Sequence, residues 1–485
     1  MALVRAARPS PPPSRKESGL SEPAVPPTTV PPTTVLPTAV PPTLSAGLLL
    51  VVLIVAFEAM AVSTVLPRVA DDLQGLALYG WASSAFLLSS LFGAVFTGLL
   101  SDRRGLAVGA SVSLAVFALG LLGAGLAPTM PVFVLGRLVQ GLGAGGLGLL
   151  PFAVITSRYP EQARARMLAA VSSAWLIPAL TGPLIASLIA DAWSWRAVFW
   201  GLLPVLVLGA PLCILPLRNA PKPSEQSASG PGGLVSRRVL WPALGLSVAS
   251  GSLIEGLRRP DLWGLALVAA GAVGIALTSR SLFPAGLWRA QRGLPAALAV
   301  RGLAAFALLG TNSFLPLALH ELRGLTLTQA GGLLSVGGAT WTLGAWLQAQ
   351  LERRFGPHTR PARVRAGMLG VLAGLLLTTA GVLGGLPLWS AYVGWFVACL
   401  SMGIGYNSNS LFALASADSQ GAGAGELSGQ LANIEVLMVA LAAGAGGALI
   451  ARATPLSTAF ALAFGVTLAG AVLARVVAVR LQAKG

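Results

Sequence analysis

Four ionisable side chains interrupt otherwise apolar sequence. Glu58 sits in LLLVVLIVAFEAMAVSTVLP (48–67), Arg137 in LGRLVQGLGAGGLG (135–148), Arg301 in PAALAVRGLAAFALLG (295–310) and Glu435 in ANIEVLMVALAAG (432–444). A charge inside a hydrocarbon layer is expensive, so such residues face a partner or a water-filled cavity and mark ion or substrate paths. At a helical rise of about 1.5 Å per residue, Glu58 lies roughly 13 Å from Pro67 and Arg137 roughly 9 Å from Pro131, measured from the same surface. Arg301 and Glu435 each lie roughly 10–12 Å from the other surface. Depth therefore pairs Glu58 with Arg137 and Arg301 with Glu435. Desolvation and a neighbouring guanidinium act on a carboxyl in opposite directions, so such a pair can be poised to exchange a proton or accept a cation. A static structural ion pair is the alternative for each.

The elements that carry these charges are membrane spans. The chain has 485 residues, 55% hydrophobic and 10% charged, with a mean hydropathy of +0.78. Ordinary soluble domains carry about 25% charged residues. Backbone groups in lipid must be satisfied internally, which leaves helices or a closed barrel. The apolar runs are about 18–25 residues long, a helix length, and lack the period of two that barrel strands require. An all-α membrane protein of fourteen spans is predicted. Residues 1–43 form a Pro/Thr-rich tail, expected to be extended and disordered. A six-helix half follows over 44–217. Residues 218–292 hold a polar loop and two linker spans, near 239–257 and 261–279, and a second six-helix half covers 293–480. Loss of both linker spans would leave twelve helices and the same orientation.

With the N-terminus inside, 24 of the 32 basic residues fall in inside segments and 6 in outside ones, with Arg137 and Arg301 within spans. The positive-inside rule then places both termini in the cytoplasm. The same scatter of basic residues through short loops argues against nucleic acid as the partner of a chain with net charge +16. No GxxxxGK[ST] phosphate loop is present, so energy would come from an ion gradient or the substrate would equilibrate passively. No nucleophile–His–acid set or metal-ligand cluster is visible, which disfavours a hydrolase or synthase and calls for no cofactor. Cys213 and Cys399 stand in separate apolar runs and read as free core thiols. Arg outnumbers Lys 29 to 3, a bias of GC-rich bacterial genomes.

Several motifs then carry a resemblance. GLLSDRRG (98–105), between the second and third spans, resembles the signature loop G-x-L-x-D-R-x-G-R-K of the major facilitator superfamily. Gly98, Leu100, Asp102, Arg103 and Gly105 match, and Leu106 and Ala107 replace the trailing basic pair. Two glycines suit a tight turn, and an Asp–Arg pair at a helix junction can form a charge-assisted latch. The resemblance implies that the latch engages the helix starting near Ser428 and holds an outward-open state. In the fourth span Arg137, Gln140, Gly141 and Gly143 match R-x-x-Q-G-x-G, and Gly141 with Gly145 forms a face for close backbone approach. In PALTGPLIAS (178–187) Gly182 and Pro183 match part of an antiporter motif, while Pro178, Ala186 and Ser187 depart from it. Pro178 and Pro183 should bend the helix, with or without an antiport role. Glu58 stands nine residues before Pro67, as the acid does in the first span of fourteen-span drug/proton antiporters, with Ser63 and Met60 replacing the expected Asn and Thr.

The resemblance implies a major facilitator fold, a bacterial cytoplasmic membrane and alternating access. It places Glu58 at the family's acidic position, and the matching depth of Arg137 adds the expectation that Glu58 is the proton or cation-substrate site and Arg137 tunes it. LERRFGPHTR (351–360) resembles a decayed second signature loop, with Arg353, Arg354 and Gly356 in register and Glu352 adjacent, and reads as an anchor. Gln140, Trp175, Asn312, Tyr406, Asn407 and Asn433 are candidate cavity residues, Asn409 could join them, and Trp341, Trp346 and Trp395 offer further aromatic contacts. His320 and His358 read as surface residues. The expected function is proton-coupled efflux of lipophilic or cationic drug-like compounds by a monomer in the bilayer. A carrier of a sugar or other metabolite and a membrane receptor or scaffold using the tail are the alternatives.

Overall fold

The structure is a computed structural model and describes residues 40–218, 237–418 and 424–481. The Pro/Thr-rich tail and most of the 218–238 loop lie outside the described residues. Four single helices come first: α1 (Pro42–Asp72), α2 (Tyr79–Arg104), α3 (Leu106–Gly125) and α4 (Met130–Arg158). The fifth span is α5 (Glu161–Ala174) with α6 (Leu176–Ala192), and the sixth is α7 (Trp195–Trp200) with α8 (Leu202–Arg218). A hairpin of α9 (Arg237–Arg258) and α10 (Leu262–Leu282) follows. The last six are α11 (Leu294–Arg323), α12 (Leu327–Phe355), α13 (Arg360–Leu383), α14 (Trp389–Asp418), α15 (Ala424–Arg452) and α16 (Leu456–Ala478). Twelve helical stretches among the described residues are long and apolar enough to cross a bilayer; α12 and α14 are equally long but more polar.

Proline sets the two interruptions. A proline at position i cannot donate to the carbonyl at i−4 and its ring crowds that carbonyl. α5 ends at Ala174, four residues before Pro178, and α7 ends at Trp200, four before Pro204. The backbone stays helical at Trp175, at φ −75° and ψ −24°, so the fifth span continues through a missing hydrogen bond at Pro178. Pro183 is accommodated within α6.

GLLSDRRG is not a loop. Helix α2 runs through Arg104, because nothing in 98–104 breaks it, and Gly98 is buried in the helix interior. Gly105 alone makes the turn into α3, at φ 94°, a conformation that favours glycine. Gly356, at φ 70°, does the same between α12 and a short turn leading to α13.

Glycine also governs how closely the helices pack. A β-carbon at Gly141 would stand 2.1 Å from the Phe86 carbonyl oxygen, and one at Gly145 would stand 2.0 Å from that of Ser90, both on α2. Gly136 and Gly143 face α3 in the same way, at Ala124 and Phe117. The second half repeats the device between α13 and α14, where Gly367 meets Gly405 and Gly374 meets Gly394. The two sets of six meet along two seams, α2 with α15 and α6 with α12. Gly80 lies against Gly447 in the first, and Gly331 and Gly338 lie against the Pro183 and Ala179 carbonyls in the second.

The α9–α10 hairpin attaches to both sets through α9. Trp81 Nε1 donates to Glu255 Oε2 at 3.1 Å, and Ser247 Oγ donates to the Leu88 carbonyl at 2.8 Å, both on the α2 side. Arg452 Nη1 at the end of α15 donates to the Leu257 carbonyl at 2.8 Å.

Gly145→Val should force α4 away from α2, at a cost of about 1–3 kcal/mol from overpacking. Gly148→Val, where nothing lies within 4 Å, should leave stability unchanged. Thermal unfolding of the two variants in detergent checks the contrast.

Candidate functional site

Arg137 projects from α4 into the space between α1 and α2, where it is 3% exposed and Glu58 is 1% exposed. Its Nη1 donates to Glu58 Oε1 and, at 2.6 Å, to Gln140 Oε1 one turn along α4. Its Nε donates to the Ala82 carbonyl of α2 at 3.2 Å, and its Cζ sits 4.2 Å from the centre of the Phe86 ring. One guanidinium therefore joins three helices. Glu58 Oε2 and Gln140 Nε2 have no hydrogen-bond partner among the described residues.

The second constellation is built from α11, α14 and α15. Arg301 Nε donates to Glu435 Oε2 at 2.9 Å, Nη1 to Ser410 Oγ at 2.7 Å, and Nη2 to the Tyr406 hydroxyl. That hydroxyl donates onward to Glu435 Oε2 at 2.7 Å. Arg301 Cζ also stacks 3.3 Å from the centre of the Tyr406 ring, which meets Trp341 edge to face. Glu435 is 21% exposed, so this carboxylate, unlike Glu58, reaches open space.

That space is a cavity of about 730 Å³ between the two sets of six. Met60 and Ser63 line it from α1; Ser172, Ser173, Trp175, Ala179 and Pro183 line it on either side of Pro178. Asn312 faces it from α11, Trp341 and Thr342 from α12, Trp395, Cys399, Tyr406 and Asn407 from α14, and Glu435 from α15. The extra polarity of α12 and α14 follows, since a helix lining a cavity need not be apolar all round. Ser172, Ser173 and Trp175 are exposed, so the cavity is open on the α5 side.

Some expected residues lie elsewhere. Gln140 is fully buried beside Arg137 and Asn433 is not part of the wall, because the azimuth of each helix turns them away. Trp346 is 57% exposed on the outer surface of α12. Asn409 is buried, its Nδ2 donating to the Ala297 carbonyl at 3.0 Å. Gly182 packs against Met60 of α1. Asp102 is partly buried at the end of α2 and engaged in an interaction, and Arg103 is exposed. The anchor at the second loop is Glu352, which accepts from Arg360 Nη2 at 2.7 Å and from Arg363 Nη2, tying α12 to α13. Sequence reasoning missed Ser410 and Phe86. Ser410 stands four residues after Tyr406, one helical turn, and that spacing was its available signal. Nothing in the local sequence singled out Phe86.

The bundle end holding the C-terminus of α1 is closed. Tyr79 Oη donates to the Ser313 carbonyl at 3.2 Å, Ser84 Oγ to that of Ala440 at 2.8 Å, and Thr328 Oγ1 to Asp191 Oδ2 at 2.6 Å. His320 is a surface residue as expected, its side chain 40% exposed, with Nε2 3.9 Å from Asp71 Oδ2 of α1. His358 stays in the turn after α12.

Two bundled sets of six helices around a central cavity define a membrane transporter fold. Residues 48–443 match the Major Facilitator Superfamily, and the chain belongs to that family. It is 28% identical to the MFS-type transporter sphD of Aspergillus fumigatus over 285 residues, 58% of this chain and 44% of that protein. The chain therefore spans less than half of that relative. It is 26% identical to multidrug resistance protein MdtL of Escherichia coli O157:H7 over 357 residues, 69% of this chain and 87% of MdtL. Among solved structures, a D-xylose-proton symporter superposes with a TM-score of 0.63 at 16% identity, covering 91% of this chain and 98% of that one.

Arg137→Met removes the only described cation beside a buried carboxylate and should cost about 3–5 kcal/mol. The neutral pair E58Q/R137M should recover most of that loss. Thermal unfolding of wild type, both single variants and the double variant measures the coupling.

Proposed function

We propose that the chain is a secondary active transporter working by alternating access, which exports lipophilic or cationic drug-like compounds in exchange for protons. The cavity carries this reading. Its wall is largely apolar and aromatic, with Trp175, Trp341 and Trp395, and Glu435 is the one carboxylate among its described lining residues. Both described hydrogen bonds to Glu435 fall on Oε2, which leaves Oε1 for the cationic group of a ligand. The tryptophans and Glu435 favour a cationic amphipathic ligand, whereas a sugar would engage Ser63, Asn312, Thr342, Tyr406 and Asn407 of the same wall. The likeness to a xylose symporter speaks for fold alone, while the name of the Escherichia coli relative supports the multidrug reading.

Glu58 is assigned the proton. A proton on the unpartnered Oε2 leaves the Arg137 contact on Oε1 intact, so the pair can change charge without losing its geometry. The closed end and the cavity open on the α5 side correspond to one of the two states that alternating access requires. By the distribution of basic residues, that open side is assigned to the cytoplasm of a bacterial cell membrane, with the protein acting as a monomer.

Proteoliposomes with an imposed pH gradient test both assignments over a panel of cationic and neutral lipophilic compounds. Glu58→Gln should abolish stimulation by the gradient while substrate binding persists. Glu435→Gln should weaken binding and transport of cations at least tenfold and spare neutral compounds, because one buried charge-assisted contact is worth about 1.5–3 kcal/mol. Normal coupling in Glu58→Gln would overturn the proton assignment, and sugar transport indifferent to Glu435→Gln would favour the metabolite carrier.

A further inference from the structure

The segment between α10 and α11, FPAGLWRAQRG (283–293), is two-faced. Phe283, Leu287 and Ala290 are buried against the bundle, whereas Trp288, Arg289, Gln291 and Arg292 are exposed. Its path is set by left-handed backbone at Gly286 and Ala290 around a single 3-10 turn. Two neighbours hold it. Arg480, just past the end of α16, donates from Nη1 to the carbonyls of Arg289 and, at 3.2 Å, Ala290. Trp288 Nε1 donates to Ser279 Oγ near the end of α10 at 2.9 Å, beside the exposed Arg280. Three chain segments thus bring Arg280, Arg289, Arg292 and Arg480 to one corner of the bundle, with a tryptophan that is 57% exposed among them.

Among the described residues the charge of this corner has no acidic partner. No acidic residue stands between Asp261 and Glu321, and none follows Glu435. Among the described residues none of these four arginines forms a salt bridge. The basic Glu352 clamp elsewhere at this end differs, because Arg360 and Arg363 there share a carboxylate. The corner also lies where spans α10, α11 and α16 end, the depth of lipid headgroups, where tryptophan is favoured. Guanidinium groups bind phosphate oxygens with two parallel hydrogen bonds, and basic clusters at span ends recognise anionic headgroups.

We propose that this corner binds the phosphodiester headgroup of an anionic phospholipid, with Arg289 and Arg292 as phosphate ligands, Trp288 packed against the glycerol region, and Arg480 as a positioning residue that holds the segment. The inference rests on the membrane fold and is independent of the substrate and of proton coupling.

The full chain, reconstituted in mixed phosphatidylglycerol and phosphatidylcholine nanodiscs and released into the gas phase, reads the site by native mass spectrometry of retained lipid. Wild type should retain phosphatidylglycerol in preference to phosphatidylcholine. R289Q/R292Q should lower that retention roughly thirtyfold, as expected for losing two near-surface charges. R353Q/R354Q, which removes the same charge from exposed residues at the same end of the bundle, should leave it unchanged. Equal loss in both double variants, or none in R289Q/R292Q, overturns the proposal. Displacement of phosphatidylglycerol by millimolar inorganic phosphate would replace the lipid site by a free-anion site.

Discussion

A guanidinium held away from water must have its donors answered by the protein, and the first half of this molecule is arranged around that requirement. Arg137 takes a carboxylate from α1, a carbonyl and an aromatic face from α2, and an amide from its own helix. Two of these partners belong to α2, which crosses α4 closely. The glycines of α4 let the backbones of α2 and α3 approach closely enough, and α1 then closes over the charge. Burial and glycine packing are thus one design: the ion pair needs the close approach, and the close approach would serve little without a polar group to enclose.

The second half meets the same requirement with the charges redistributed. Its arginine is on the first helix of the set, and its partners come from the fourth and fifth. The consequence is a difference in access. Glu58 is sealed, with one oxygen unpartnered, whereas Glu435 keeps a face toward the cavity while Arg301 and Tyr406 hold the other. A sealed acid and a cavity acid suit different tasks, and the assignment of a proton to one and a cationic group to the other follows from that difference.

Motion between the two sets must pass through a few contacts. At the closed end these are hydroxyl-to-carbonyl bonds, a Thr–Asp bond and glycine crossings, all of short reach and without bulky interlock. The α9–α10 hairpin, bonded to α2 and to the end of α15, spans one of the two seams and must travel with or yield to any opening there. Pro178 removes one backbone hydrogen bond of the fifth span next to the exposed, cavity-lining Ser172, Ser173 and Trp175, where the helix is less constrained.

Much of the fold was legible in the sequence because a bilayer imposes a one-dimensional rule: apolar length decides which segments span, and charge decides where they end. That rule yields twelve of the helices among the described residues and, through helical rise, the depths that pair Glu58 with Arg137 and Arg301 with Glu435. Rotation about each helix axis obeys no such rule. It is settled by packing against neighbours, which is why Gln140 turned inward to Arg137, Trp346 turned outward, Asn433 left the cavity wall, and Ser410 and Phe86 entered the sites unannounced. Gly98 shows the same limit, since only the folded chain reveals that Gly105 makes the turn alone. The sequence by itself determined which segments are long apolar helices and the relative depth of each buried charge, because these depend on apolar length and helical rise. Only the tertiary structure decided which charge is sealed and which meets the cavity, because that depends on azimuth and on how closely glycine lets two backbones come together.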